Sequence, residues 1–233
     1  MIERVVITGA AGAVGSACVA AFRELGAEVV GIDVRSKSGA DLHVTLDIAD
    51  PECGRRVVDQ LGDKAVDVLV NNAAIGHSQL AVDTSVEQFD EIVAVNLRAP
   101  FILSTALLPS LRQRSGSVIN VSSVHAVATS SPVSVYAAAK GGLQSLTRAL
   151  ALEWAPEVRV NCVLPGAVDS EMLSEGLSRA GKTLEGFGAT LAVGRVGRPE
   201  EIADAIVFLA TNQYMTGASL IVDGGATARL STE

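Results

Sequence analysis

The sequence predicts an α/β chain built on a doubly wound parallel sheet with helices on both faces. Three observations carry this expectation. Short runs of Val, Ile and Leu alternate with helix-length segments along the chain. Those runs are apolar at successive positions, the pattern of strands buried on both faces. The 233 residues are 48% hydrophobic, enough for one large core, and contain no repeat, low-complexity tract or linker. A single domain over 1–233 is therefore the economical reading.

Each element follows in order. The β-branched run 4–8 predicts the first strand, and the glycines after it a turn into a small-residue helix over 10–25, ended by Gly26. Strands are expected at 28–34 and 43–48. Pro51 suits the first turn of a helix over 52–61. A strand at 66–73 precedes a helix over 86–111, bent at Pro100, with Pro109 near its end. A fifth strand at 117–123, a long Ala- and Leu-rich helix over 134–154 and a sixth strand at 158–165 come next. Pro199, Glu200 and Glu201 open a last helix to 210, with the acids at its positive end, before a final strand at 219–225. The segment 171–194 has no strong period and exceeds ordinary loop lengths. It is expected to be a flexible flap over a substrate, offering Met172, Leu173, Leu177, Leu184, Phe187 and Leu191.

Composition removes several function classes. With 18 basic and 26 acidic residues the net charge is −8, and no cluster of five or more Lys/Arg occurs. That argues against nucleic acid and against anionic membrane surfaces. No apolar run reaches the roughly 18–20 residues of a spanning helix. The first residues enter a strand-like run with no signal-peptide pattern, so a cytoplasmic location is expected. Cys18, Cys53 and Cys162 are scattered, which suits neither a disulfide framework nor a metal site.

The residues that carry chemistry begin at the end of the first strand, Thr8-Gly9-Ala10-Ala11-Gly12-Ala13-Val14-Gly15. Glycines let a backbone approach a pyrophosphate, whose charge sits on a helix N-terminus. A tight βα turn would use the same residues. Asp33 ends the second strand, where a carboxylate accepts bonds from ribose hydroxyls and repels a 2′-phosphate. No basic residue lies in the glycine turn or immediately after Asp33, so NAD is favoured over NADP. Asp47, after the third strand, suits either an adenine amino group or a plain helix cap. Tyr136 and Lys140 share a helix face at i and i+4. An ammonium beside a phenol favours the phenolate, so the pair can exchange a proton with an alcohol or carbonyl near neutral pH. Ser123 ends the preceding strand at the carboxyl edge, where ligands bind in such sheets.

Taken in order, Thr8–Gly15, Asn71-Asn72-Ala73-Ala74, Asn96, Ser123, Tyr136-Ala-Ala-Ala-Lys140, Pro165-Gly166 and Val222-Asp223-Gly224-Gly225 resemble the short-chain dehydrogenase/reductase family. The likeness is to its ordinary single-domain subfamily, of Rossmann-type fold, and runs from about Val5 to Gly225. The resemblance implies Tyr136 as acid/base, with Lys140 lowering its pKa and bonding the nicotinamide ribose. Ser123 would polarise the substrate carbonyl, and Asn96 would hold a water in a proton relay toward Lys140. Thr8, Gly9, Ala13, Val14 and Gly15 would line the pyrophosphate turn, with Asn72 and Ala73 beside the cofactor. The backbone at Val168, after Pro165-Gly166, would meet the carboxamide, and Ser170 stands where the family often has Thr.

Three departures are visible. Ala13 replaces the family's middle glycine, with Gly12 displaced one earlier, giving the TGxxGxxG spacing of the longer epimerase and dehydratase subfamily. Ala74 replaces a glycine. The connection 211–217 is about two residues shorter than usual. His125, two residues beyond Ser123, and His77 are expected near the substrate mouth, as a hydrogen-bonding wall or as ordinary loop residues.

The function these features imply is NAD-dependent interconversion of a small secondary alcohol and a ketone. An NAD-using epimerase or dehydratase and a non-catalytic NAD-binding regulator are the alternatives. The two long helices each carry a second apolar stripe. Ala94, Leu97, Phe101, Thr105 and Leu108 form one; Ala138, Gly142, Ser145, Ala149 and Leu152 form the other. A helix on an open sheet has one sheet to face, so a homotetramer built on these stripes is expected, as the family resemblance also implies.

Overall fold

Alternation along each strand decides how the sheet is covered. In the first strand Val5 and Ile7 join one cluster of buried residues and Val6 the other. The same split divides Val29 from Val30, Leu69 from Val68 and Val70, and Val118 from Ile119. Successive side chains point to opposite faces, so strands apolar at every position need a helical layer on each side. The computed structural model describes residues 2–62 and 64–228, and it has both layers.

Among the described residues the strands are β1 (Arg4–Thr8), β2 (Glu28–Asp33), β3 (Leu42–Thr45), β4 (Val68–Asn71), β5 (Ser117–Val121), β6 (Arg159–Pro165) and β7 (Ser219–Val222). They form one sheet in the order β3-β2-β1-β4-β5-β6-β7, parallel at every pairing. Helices α1 (Ala13–Glu24) and α8 (Pro199–Thr211) cover one face. Phe22 and Val19 of α1 meet Ile202, Ile206 and Leu209 of α8 there. Helices α2 (Cys53–Leu61), α4 (Ala99–Gln113) and α5 (Ser134–Trp154) cover the other, through residues such as Val57, Leu103, Leu107, Leu150 and Trp154. This is the doubly wound parallel sheet of Rossmann type. The strand order reverses between β1 and β4, and the crevice beyond their carboxyl ends is where such sheets bind ligands.

The expected helix over 86–111 is interrupted rather than bent. Helix α3 (Val86–Val93) passes into a π-helical turn at Ala94–Arg98 and then into α4. The amide of Ala99 reaches back to the carbonyl of Ala94, one residue further than an α-helix allows. Pro100 then falls in the first turn of α4, where a missing N–H is harmless. The continuous helical stretch Val86–Gln113 is long and apolar enough to cross a membrane, which the search for apolar runs overlooked. Half of its most apolar window is buried, and Ile92, Val95, Ala99, Leu103, Leu107 and Leu111 pack inside the fold.

The segment 171–194, read as a loop without periodicity, contains two short helices, α6 (Glu171–Arg179) and α7 (Leu184–Gly188). Ser170 and Thr183 cap them by accepting bonds from Leu173 N and Gly186 N. Only Leu177 of its large apolar residues is buried. Its far end is tied to the chain's last turns, since Val193 N donates to Gly224 O at 3.3 Å.

Candidate active site

The site is assembled at the carboxyl edge of the sheet. The first piece is the turn after β1. Gly9 has φ +65°, and a Cβ there would lie 2.8 Å from the Cα of Ala73. A Cβ on Gly15 would lie 2.0 Å from the carbonyl oxygen of Gly9, so α1 presses directly on the turn. Gly12 precedes α1 in an extended conformation, with no side-chain cap and no acid in the first helical turn. An uncapped, acid-free helix start above a glycine cradle suits a pyrophosphate. Ala13, Val14 and Gly15 form that first turn.

The crest of β4 is sewn to this turn. Thr8 Oγ1 accepts from the backbone N–H groups of both Asn72 and Ala73 at 3.0 Å. Asn72 Nδ2 donates to Thr8 O at 2.9 Å and Gly9 O at 3.2 Å. The amide of Asn72 therefore holds the rim of the crevice together.

Asp33 sits at the end of β2, beside the turn. Its Oδ2 accepts from Ala11 N at 2.9 Å and its Oδ1 from Arg35 N at 2.9 Å. The turn itself holds no basic residue, yet Arg35, two residues beyond Asp33, folds back over it. Its Nη1 donates to Ala11 O at 3.3 Å. Asp47 lies beyond the shortened β3, where its Oδ1 accepts from Ala49 N at 2.9 Å in a local turn; it does not cap α2, whose N-cap is Glu52.

The cluster around Tyr136 gathers from the end of β5 and from α5. The Tyr136 phenol faces the Ser123 hydroxyl. Ser123 Oγ also accepts from His125 N at 3.2 Å. Lys140 is 1% exposed; its Nζ donates to Val121 O at 2.8 Å and lies 5.7 Å from the centre of the Tyr136 ring. Burial pulls its pKa down from 10.5 to about 8. Burial pushes the Tyr136 phenol above 10, against the pull of the Ser123 hydrogen bond. The direction is opposite to the lowering expected from Lys140, because desolvation dominates.

Two features that align this group escape sequence reading. Ser122 Oγ donates to Lys140 O at 2.8 Å, fixing α5 against the end of β5. A buried chain runs from Ser104 through Asn71, Asn120 and Thr147, with Asn71 Nδ2 to Asn120 Oδ1 at 2.8 Å and Asn120 Nδ2 to Thr147 Oγ1 at 2.9 Å. It locks β4, β5, α4 and α5 in register. The doubled serine and doubled asparagine are the signals sequence offers for it.

Asn96 lies in the π turn, a frequent setting for functional residues. Its Oδ1 accepts from Ile75 N at 3.0 Å and its Nδ2 donates to Ile75 O at 2.7 Å. His125 stacks edge-on against Tyr136, ring centres 5.9 Å apart, and its Nδ1 pairs with Thr129 Oγ1 at 3.0 Å. Burial lowers its pKa from 6.5. His77 instead pairs with Glu91, at 3.4 Å. Beyond Pro165, a Cβ on Gly166 would meet the Cα of Asp223 at 2.7 Å. Val168 bridges to Gly197, and the Ser170 hydroxyl is used within the chain, donating to Val168 O at 3.1 Å and capping α6.

The family model described as enoyl-(acyl carrier protein) reductase matches residues 9–227. A 3-oxoacyl-(acyl-carrier-protein) reductase of Thermotoga maritima is 34% identical, over 94% of this chain and 95% of its own. The chain belongs to the short-chain dehydrogenase/reductase family. This is a family of oxidoreductases that bind nicotinamide dinucleotides. A meso-2,3-butanediol dehydrogenase of Serratia marcescens is 32% identical over 96% of this chain and 94% of its own. A short-chain type dehydrogenase/reductase of Sinorhizobium fredii is 36% identical over 95% of this chain, and there the chain spans only 43% of the relative's length. In structure, the aldohexose dehydrogenase of Thermoplasma acidophilum matches with a TM-score of 0.94 and 27% identity, over 99% of this chain and 96% of that one. One chain of the same fold is solved with NADP bound and another, a 4-hydroxyisoleucine dehydrogenase, with NADH.

Proposed function

We propose that this short-chain dehydrogenase/reductase is an NAD-dependent enzyme interconverting a secondary alcohol and a ketone, with both sites in one domain. The observation that carries the reading is the hydroxyl pair of Tyr136 and Ser123 beside buried Lys140, at the crevice whose other wall is the glycine turn. The dinucleotide, when bound along Gly9–Gly15 and Asp33, supplies or takes up the hydride. Tyr136 takes the hydroxyl proton in oxidation and returns one to the carbonyl oxygen in reduction. Ser123 Oγ accepts from His125 N, and its O–H, turned toward Tyr136, would swing to a substrate oxygen lying between the two. Lys140 supports the tyrosine. With both ends of its amide on Ile75, Asn96 would serve a proton relay through its main chain.

NADH consumption or formation with cyclic ketones, diols, sugars, hydroxy acids and a 3-oxoacyl thioester tests this reading. Net turnover with one class is the expected result. Isomerisation without net redox would point to the epimerase alternative, and binding without turnover to a regulator.

Asp33 should make the enzyme prefer NADH. Its carboxylate is fixed by two backbone N–H groups, and like charges at about 4 Å repel by about 1–4 kcal/mol across watery to surface-like surroundings. NADH should bind at least about tenfold tighter than NADPH, and Asp33→Ala should narrow that gap. Equal affinities in fluorescence titration would refute the assignment.

The homotetramer reading is supported by where the two stripes lie. Ile92, Val95, Ala99 and Leu103 are buried, while Phe101 is 47% and Leu152 82% exposed. Ala94, placed with the open stripe, is buried in the fold instead. Light scattering should give about four times 23.9 kDa; a mass near 23.9 kDa would overturn the interface.

A further inference from the structure

The ion pair between Arg35 and Glu171 has no part in the chemistry above. It joins two segments distant in sequence, with Arg35 Nη2 2.7 Å from Glu171 Oε2. Arg35 follows β2, at the ribose end of the dinucleotide crevice. Glu171 is the first residue of α6, at the start of the flap. The same guanidinium donates through Nη1 to Ala11 O, while Ala11 N donates to Asp33 Oδ2. Asp33, Ala11, Arg35 and Glu171 thus form one continuous chain of contacts across the rim of the crevice.

We infer that Glu171 is a cofactor-selecting residue that acts by occupying Arg35. The inference rests on the reading of Gly9–Gly15 and Asp33 as the dinucleotide site. A guanidinium anchored on the turn next to the ribose-reading carboxylate is well placed to receive a 2′-phosphate, since Arg forms bidentate bonds with phosphate oxygens. Instead, Nη2 is engaged with the Glu171 carboxylate and Nη1 with Ala11 O, so both terminal nitrogens already face acceptors. The carboxylate at the head of the flap therefore reinforces Asp33: one repels the phosphate, and the other withholds the cation that would compensate it. The two side chains are 57% and 69% exposed, so their pairing can be broken without disturbing the core.

A double-variant cycle tests this. NADH and NADPH dissociation constants are measured for the parent enzyme, Glu171→Gln, Arg35→Ala and the double variant, with thermal unfolding to check folding. Glu171→Gln should tighten NADPH binding about two- to fivefold, the range an exposed ion pair reaches, and leave NADH nearly unchanged. In the Arg35→Ala background the same change should have no effect. Unchanged NADPH affinity in Glu171→Gln would overturn the inference. An equal gain with and without Arg35 would also overturn it, because Glu171 would then act by direct repulsion. If the parent enzyme binds neither dinucleotide, or NADPH as tightly as NADH, the underlying site reading fails and takes the inference with it.

Discussion

Tyr136→Phe should lower turnover by about 10²–10⁴-fold while leaving NADH affinity nearly unchanged. The substitution keeps the ring, whose surroundings are all ring contacts. His125 meets it edge-on, and Gly76 faces it so closely that a Cβ there would come within 3.4 Å of the ring. What is lost is the oxygen facing Ser123, the only part able to carry a proton. Burial keeps that proton on above the ordinary tyrosine value, so the free enzyme at neutral pH holds the acid form that ketone reduction needs. Alcohol oxidation needs the phenolate, so its kcat/KM should climb as pH rises into the alkaline range. The reductive kcat/KM should fall only there. Steady-state kinetics in both directions checks this, and near-parental turnover in Tyr136→Phe would end the assignment of Tyr136 as the acid/base.

Most of what positions this tyrosine was legible in the sequence, because it rests on local spacing. Tyr136 and Lys140 share a face of any helix, and Ser123 follows an unmistakable strand. The sheet was legible for a similar reason: strands such as Val5-Val6-Ile7 feed both buried clusters. What stayed hidden depends on pairs far apart in the chain. Nothing local says that Arg35 reaches Glu171, or that Asn72 spends its amide on Thr8 and Gly9. The π turn at Ala94–Arg98 was also invisible, since one extra residue in a helical turn barely alters an apolar pattern. The raised phenol was not legible, because proximity in sequence says nothing of desolvation. Lys140 Nζ lies 5.7 Å from the centre of the Tyr136 ring, and its own charge is destabilised by burial just as the phenolate is.

That destabilised charge leads to an outcome unlike that of an ordinary site variant. Lys140→Met should cost turnover and cofactor affinity and yet raise the stability of the enzyme at pH 7. The ammonium is fully enclosed, and the Cys162 thiol that faces it is itself pushed up to about 11 by burial and stays neutral. A lysine whose pKa falls from 10.5 to about 8 on folding costs about 3 kcal/mol whenever both states are protonated. Below pH 8 that cost is present in full. Between pH 8 and 10.5 the unfolded chain holds the extra proton, so stability of the parent enzyme should rise with pH across this window. Methionine fills similar space without charge. Its own penalty is the carbonyl of Val121, which loses the 2.8 Å bond from Lys140 Nζ at a cost of about 1–3 kcal/mol. The remaining gain of about 1 kcal/mol corresponds to a rise of about 2–4 °C in melting temperature for a chain of this length. The advantage should shrink and reverse as pH approaches 10.5, where the parent lysine folds uncharged. Thermal unfolding of both proteins at pH 7 and pH 10, beside NADH titration, gives the answer. A Lys140→Met protein less stable than its parent at pH 7 would show that Lys140 is held by its surroundings rather than strained by them, and that function here is not maintained at the expense of stability.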